Sequence, residues 1–97
     1  MSPVKHLNIT LTGKVQRVGF RFTAMEVAKR HEIRGIVMNS GTDMVYIEAE
    51  GRSDNLDLFL KWCARGPVGA RVDKVDVTEA GLKNYTRFDI LSRSAPL

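Results

Sequence analysis

One stretch of the chain combines residue types and spacing suited to gripping an anion: TGKVQRVGFRF, Thr12 to Phe22. An alternating run meets Gly13, a second glycine follows at position 19, and Arg17 and Arg21 stand four apart. The stretch lies between a strand end and a helix start. A helix N-terminus offers free N–H groups and a partial positive charge, which together attract phosphate. A loop whose successive N–H groups point inward makes an anion nest, and glycine lets backbone approach a ligand closely. Arg21, in the first helical turn, is placed to fold back over the same hollow and grip two phosphate oxygens at once. On residue pattern alone a second reading stands beside this one: an ordinary strand–helix turn with surface arginines. A Walker A loop is excluded, because no GK[ST] occurs.

Other chemistry is poorly represented. The single cysteine, Cys63, allows no internal disulfide, and neither His6 nor His31 is near it in sequence. It shares a helical stripe with Leu56, Phe59 and Leu60, which reads as a buried structural thiol. No His, Cys or carboxylate cluster has metal-ligand spacing, so no metal is expected. The net charge of +4 suits an anionic partner without naming one.

The elements that must position Arg17 and Arg21 follow from periodicity. VKHLNITLT alternates, with Leu7, Ile9 and Leu11 on one face of a half-buried strand. Phe20, Ala24, Val27 and Ala28 recur at helical spacing and predict a helix from about Phe20 to His31, with Gly35 beyond its end. GIVMN and MVYIEAE, joined by SGTD, read as a hairpin. Ser53 reads as the N-cap of a second helix carrying the Leu56–Cys63 stripe. ARVDKVDVTE is a fourth strand whose apolar period slips between Val72 and Val75, which predicts a bulge near Asp73. GLKNY turns, TRFDILS is a short last strand with Phe88 and Ile90, and the tail RSAPL is unpatterned. The order β-α-β-β-α-β-β contains the split βαβ pattern, an α+β fold with an antiparallel sheet and both helices on one face. Residues 1–97 form a single domain on this reading. The expected location is the cytoplasm, since no membrane span and no signal peptide is visible.

With these elements in place, GKVQRVGFR is similar to the acylphosphatase signature G-x-V-Q-G-V-x-[FM]-R. GIVMNSGTDMV, Gly35 to Val45, resembles the second segment of that family, G-x-x-x-N-x-x-x-G-x-V. GPVGARVDKVDV and YTRFDI also look like family sequence, so the resemblance runs from Leu7 to Ile90. It implies a ferredoxin-like α/β sandwich and hydrolysis of acyl phosphates to a carboxylate and inorganic phosphate, without cofactor. By the same resemblance Arg21 binds the phosphate, the backbone of Gln16, Arg17, Val18, Gly19 and Phe20 cradles it, and Asn39 holds the attacking water. Without the resemblance, Asn39 would read as a hairpin-turn asparagine.

The chain departs from the family pattern in three places. Arg17 and Asp43 stand where glycine is usual, and Ile36 replaces a common aromatic. If position 17 needs positive φ, arginine there is strained; in either case it adds positive charge at the cradle's mouth. An alternative reading is therefore a small-anion binding or regulatory domain that keeps the cradle without turnover. A nucleic-acid-binding module is a further rival. Its strands would have to offer stacking aromatics, but these offer only Tyr46 and Phe88, so nucleic acid is not an expected partner. Nothing in a small α/β domain of this kind calls for a partner subunit, and a monomer is expected.

Overall fold

The computed structural model describes residues 2–92, so the tail RSAPL lies outside the described residues. The elements are β1 (Val4–Lys14), α1 (Phe20–Arg30), β2 (Arg34–Ser40), β3 (Met44–Arg52), α2 (Ser53–Arg65), β4 (Arg71–Ala80) and β5 (Phe88–Ile90). The strands form one sheet in the order β4-β1-β3-β2-β5. The four long strands pair antiparallel, as expected. The short β5 adds a parallel edge to β2, through Gly35 to Val37, and makes the sheet mixed. β1 and β2 both run antiparallel to β3, so they are parallel to each other and their C-terminal ends reach the same end of the sheet.

Alternation explains which face is buried. Leu7, Ile9 and Leu11 of β1 pair with Ala49, Ile47 and Val45 of β3, and all are buried under the helices. α1 contributes Phe20, Ala24 and Val27, while α2 contributes Leu56, Phe59 and Cys63. Burying one such large apolar side chain stabilises by about 1.5–3 kcal/mol. Phe59→Ala would cost about 3–5 kcal/mol, because a cavity is added to the lost transfer energy. The Cys63 thiol is wholly buried, and burial pushes its pKa up, which leaves it inert.

Two local features refine the sequence reading. The period slip in β4 is a bulge: Thr12 faces Lys74 and Gly13 faces Val72, leaving Asp73 as the extra residue. A Cβ on Gly13 would lie 2.3 Å from the Arg71 carbonyl oxygen, so β1 can pass the bulge only as glycine. β1 accordingly continues through Gly13 to Lys14 instead of ending at the glycine. Ser53, expected to cap α2, is instead its first residue, after Arg52 in extended backbone. The acceptor for the Asp54 N–H is Ser2 Oγ, at 2.9 Å, and the Ser53 N–H donates to the Pro3 carbonyl at 2.8 Å. The cap is therefore delivered by Ser2 and Pro3, just ahead of β1, and the helix begins one residue earlier.

The face away from the helices carries a polar cluster. His6 is fully buried, and Glu48 and Glu50 are only 7% and 6% exposed, because the segment between β4 and β5 folds over them. His6 Nδ1 donates to Glu50 at 2.7 Å, and the Tyr85 amide and the Lys83 amide also donate to Glu50. Glu48 accepts from the hydroxyls of Tyr46 (2.8 Å) and Tyr85 (2.7 Å) and pairs with Lys83 at 2.8 Å. Burial alone would raise both carboxyls. For Glu50 the Lys83 amide and the His6 ring outweigh it, and for Glu48 Lys83 and the tyrosines do, so both lie below the ordinary carboxylate range.

Candidate active site

The connection from β1 to α1, residues 15–19, has a backbone shaped for an anion. Arg17 (φ 63) and Gly19 (φ 73) are left-handed, whereas Gln16 and Val18 are not. Such alternation turns successive N–H groups toward one point. None of the N–H groups from Gln16 to Phe20 donates to another described backbone group outside the regular elements. Position 17 thus does require positive φ, and arginine bears a strain of about 1–2 kcal/mol there.

α1 begins at the end of this loop and aims its N-terminus into the same hollow. Its first turn contains no acidic residue, so the positive end of the helix is uncompensated. Thr23 fixes the start, donating both its N–H (3.1 Å) and its hydroxyl (2.9 Å) to the Gly19 carbonyl. Phe20 is buried and packs against Trp62 of α2, ring centroids 5.2 Å apart, which holds the helix end in place. Arg21, one residue further, lines the hollow, and no described carboxylate lies within 4.0 Å of its guanidinium.

Asn39 comes from β2. It shares the helix-facing side with buried Val37 and pairs with Val45 near the strand end. Because β2 is parallel to β1, its end arrives beside the loop, and Asn39 lines both the large hollow of about 780 Å³ and an adjoining one of about 190 Å³. Two links hold loop and hairpin together. The Gly13 N–H donates to the Asp43 carbonyl at 3.0 Å. The Gln16 amide Nε2 points into the turn among the carbonyls of Met44 (2.9 Å), Gly41 (3.1 Å) and Ser40 (3.3 Å). Asp43 itself has ordinary backbone; Gly41, φ 59, takes the tight corner.

Of the residues named from sequence, Gln16, Arg17, Arg21 and Asn39 line the larger hollow, and Gly19 and Phe20 line the smaller. Val18 lines neither; its side chain packs partly buried against the core, so only its backbone is available to the loop. Sequence reasoning missed the clip made by the Gln16 side chain, because its acceptors lie more than twenty positions away. It also missed Lys14, Thr42 and Ser92 at the hollow's rim. Lys14 follows Gly13 inside the quoted motif, whereas Thr42 and Ser92 carry no signal beyond their place in a turn and after a strand.

The acylphosphatase family profile matches residues 7–90. The acylphosphatase of Thermotoga petrophila is 41% identical over 87 residues, 90% of this chain and 97% of that protein. The structure of an acylphosphatase from Coxiella burnetii superposes with a TM-score of 0.88 at 28% identity, covering 91% of this chain and 93% of that one. The crystal structure of acylphosphatase from Bacillus subtilis superposes with a TM-score of 0.87 at 32% identity, covering 90% and 98%. A profile match across most of the chain, together with relatives this similar over nearly their full length, places it in the acylphosphatase family, as an enzyme that hydrolyses acyl phosphates to a carboxylate and inorganic phosphate.

Proposed function

We propose that the hollow between the 15–19 loop, the α1 N-terminus and Asn39 is where the carboxyl–phosphate bond is cleaved. The observation that carries this is the convergence on one hollow of a loop with alternating left-handed backbone, an Arg21 with no described carboxylate within 4.0 Å and a strand-borne Asn39. The phosphoryl oxygens sit in the loop, and Arg21 grips two of them. Their negative charge, spread over three equatorial oxygens in the transition state, is met by donors already in place. An acyl phosphate has a good leaving group, so positioning and electrostatics suffice, with no covalent nucleophile. Asn39 does not titrate near neutrality and is therefore no base. Its amide accepts from and donates to a water, holding it in line with the phosphorus. Water oxygen bonds to phosphorus as the bridging P–O bond breaks, and a phosphoryl oxygen takes a water proton. RCO–OPO₃²⁻ and H₂O thus give RCOO⁻ and H₂PO₄⁻. Gln16 keeps the loop and the Asn39 strand in register.

We place this activity in a single-domain, monomeric, cytoplasmic protein acting without nucleic acid. Among the described residues no helix is long and apolar enough to cross a membrane. The test is hydrolysis of benzoyl phosphate by the purified chain without added metal. Turnover inhibited by inorganic phosphate is expected. Phosphate binding without turnover would instead favour a non-catalytic anion-binding domain of the same fold.

A further inference from the structure

Arg17 and Lys14 are in excess of what one phosphoryl group needs. Lys14, Arg17 and Arg21 all line the larger hollow, and among the described residues no carboxylate does. None of the three lies within 4.0 Å of a described carboxylate, although the molecule pairs many of its other cations. Arg52 sits on Asp54, Arg71 on Asp73, Lys74 on Asp76 and Arg87 on Asp89. The loop amides, the helix end and Arg21 already match a phosphoryl dianion.

Two further observations say what the surplus charge is for. Arg17 holds left-handed backbone that glycine would adopt without strain, and, unlike Glu32 and Asn84, the other left-handed non-glycine residues, it does so while lining this hollow. The hollow, at about 780 Å³, has the size of pockets that take whole small molecules, so it has room for the acyl part as well as the phosphate. Around that room the side chains of Lys14, Arg17, Thr42 and Ser92 are polar, and among the described residues Val15 is the one apolar side chain lining it. An apolar acyl group has its apolar neighbours, Phe22 and Ile90, in the smaller adjoining hollow, whereas in the larger one an anionic group would find two cations and two hydroxyls.

We propose that Arg17 and Lys14 form a second anion subsite, and that the preferred substrates are acyl phosphates whose acyl part carries a further negative group such as a carboxylate. This rests on the assignment of the hollow as the phosphoryl site. The test compares benzoyl phosphate with 4-carboxybenzoyl phosphate, which differ by one remote carboxylate, in the parent protein, Arg17→Gly, Lys14→Gln and the double variant. The parent is expected to favour the carboxylated substrate in kcat/KM by about tenfold, and the double variant to lose most of that preference. Equal losses on both substrates would assign Arg17 to the phosphoryl group alone and overturn the inference. Titration with phenylphosphonate and 4-carboxyphenylphosphonate reads the subsite without turnover. An inactive parent that still prefers the carboxylated phosphonate, and loses the preference in the double variant, would sink the catalytic assignment and keep the subsite. A parent that binds both phosphonates equally would sink the subsite whatever its activity.

Discussion

Two polar regions on opposite sides of the sheet treat their charged groups in opposite ways. The His6–Glu48–Glu50 cluster is buried and saturated: each carboxylate meets several donors, and no buried side-chain nitrogen or oxygen among the described residues lacks a partner. Arg17, Arg21 and Lys14, lining the hollow at the end of β1, lie within 4.0 Å of no described carboxylate, and the N–H groups of its loop donate to no described backbone group outside the regular elements. Saturated polar groups hold structure, because leaving any one of them unmet in the interior is expensive. Unmet groups at the surface cost little and remain available to a ligand.

Breaking each side of this contrast should give different signatures. The largest effect is expected for Arg21→Ala, which should lower phosphate affinity and turnover by about 10³-fold or more with an unchanged urea midpoint, as a bidentate charged contact is lost outright. In the opposite region, Glu50→Ala strands the His6 ring and two amides; unfolding in urea should show a loss of about 3 kcal/mol while phosphate affinity of the folded protein stays the same. Asn39→Ala should reduce turnover by about 10²-fold and leave phosphate inhibition nearly intact, since one orienting group is removed and no charge. If Asn39→Ala keeps full activity, the water is held elsewhere. The smallest effect is expected for Arg17→Gly, which should raise stability by up to about 1 kcal/mol: the relief of left-handed strain exceeds the added freedom of the unfolded chain.

Acid sharpens the same comparison. Glu48 and Glu50 have folded pKa values below the free carboxylate value of 4.5. Their contribution is complete above that value and is lost as the pH falls through their lower folded values. Thermal unfolding followed below pH 4.5 should therefore show a decline that Glu50→Ala flattens, whereas Asn39→Ala should follow the parent curve.

The sequence made the site more legible than the scaffold around it. Strand faces, helix stripes and the Asp73 bulge are local patterns, and periodicity reveals them. The GKVQRVGFR motif is also local, and its backbone alternation needs only Arg17 and Gly19. What escaped reading depends on distant partners. Ser53 looked like a cap because the hydroxyl that does the capping belongs to Ser2, far away in the chain and brought alongside only when β1 pairs with β3. Glu48 and Glu50 alternate with apolar residues and so resemble a solvated face; they are buried only because Lys83 and Tyr85 arrive over them later in the chain. The parallel pairing of β5 with β2 likewise has no local signal in a three-residue strand.

The bulge at Asp73 has a consequence for how copies of this protein behave when crowded together. β4 is an outer strand of ten residues, and its helix-facing Val75 and Val77 are 38% and 40% exposed. A flat, regular border of that length would be a template on which another chain could zip, the first step toward fibrils. The extra residue kinks the border at one end, and Lys74, Asp76 and Glu79 stud the rest with charge. Gly13 is the partner that makes the kink sterically possible. The same glycine that opens the GKVQRVGFR motif therefore also lets the outer strand be kinked against such pairing.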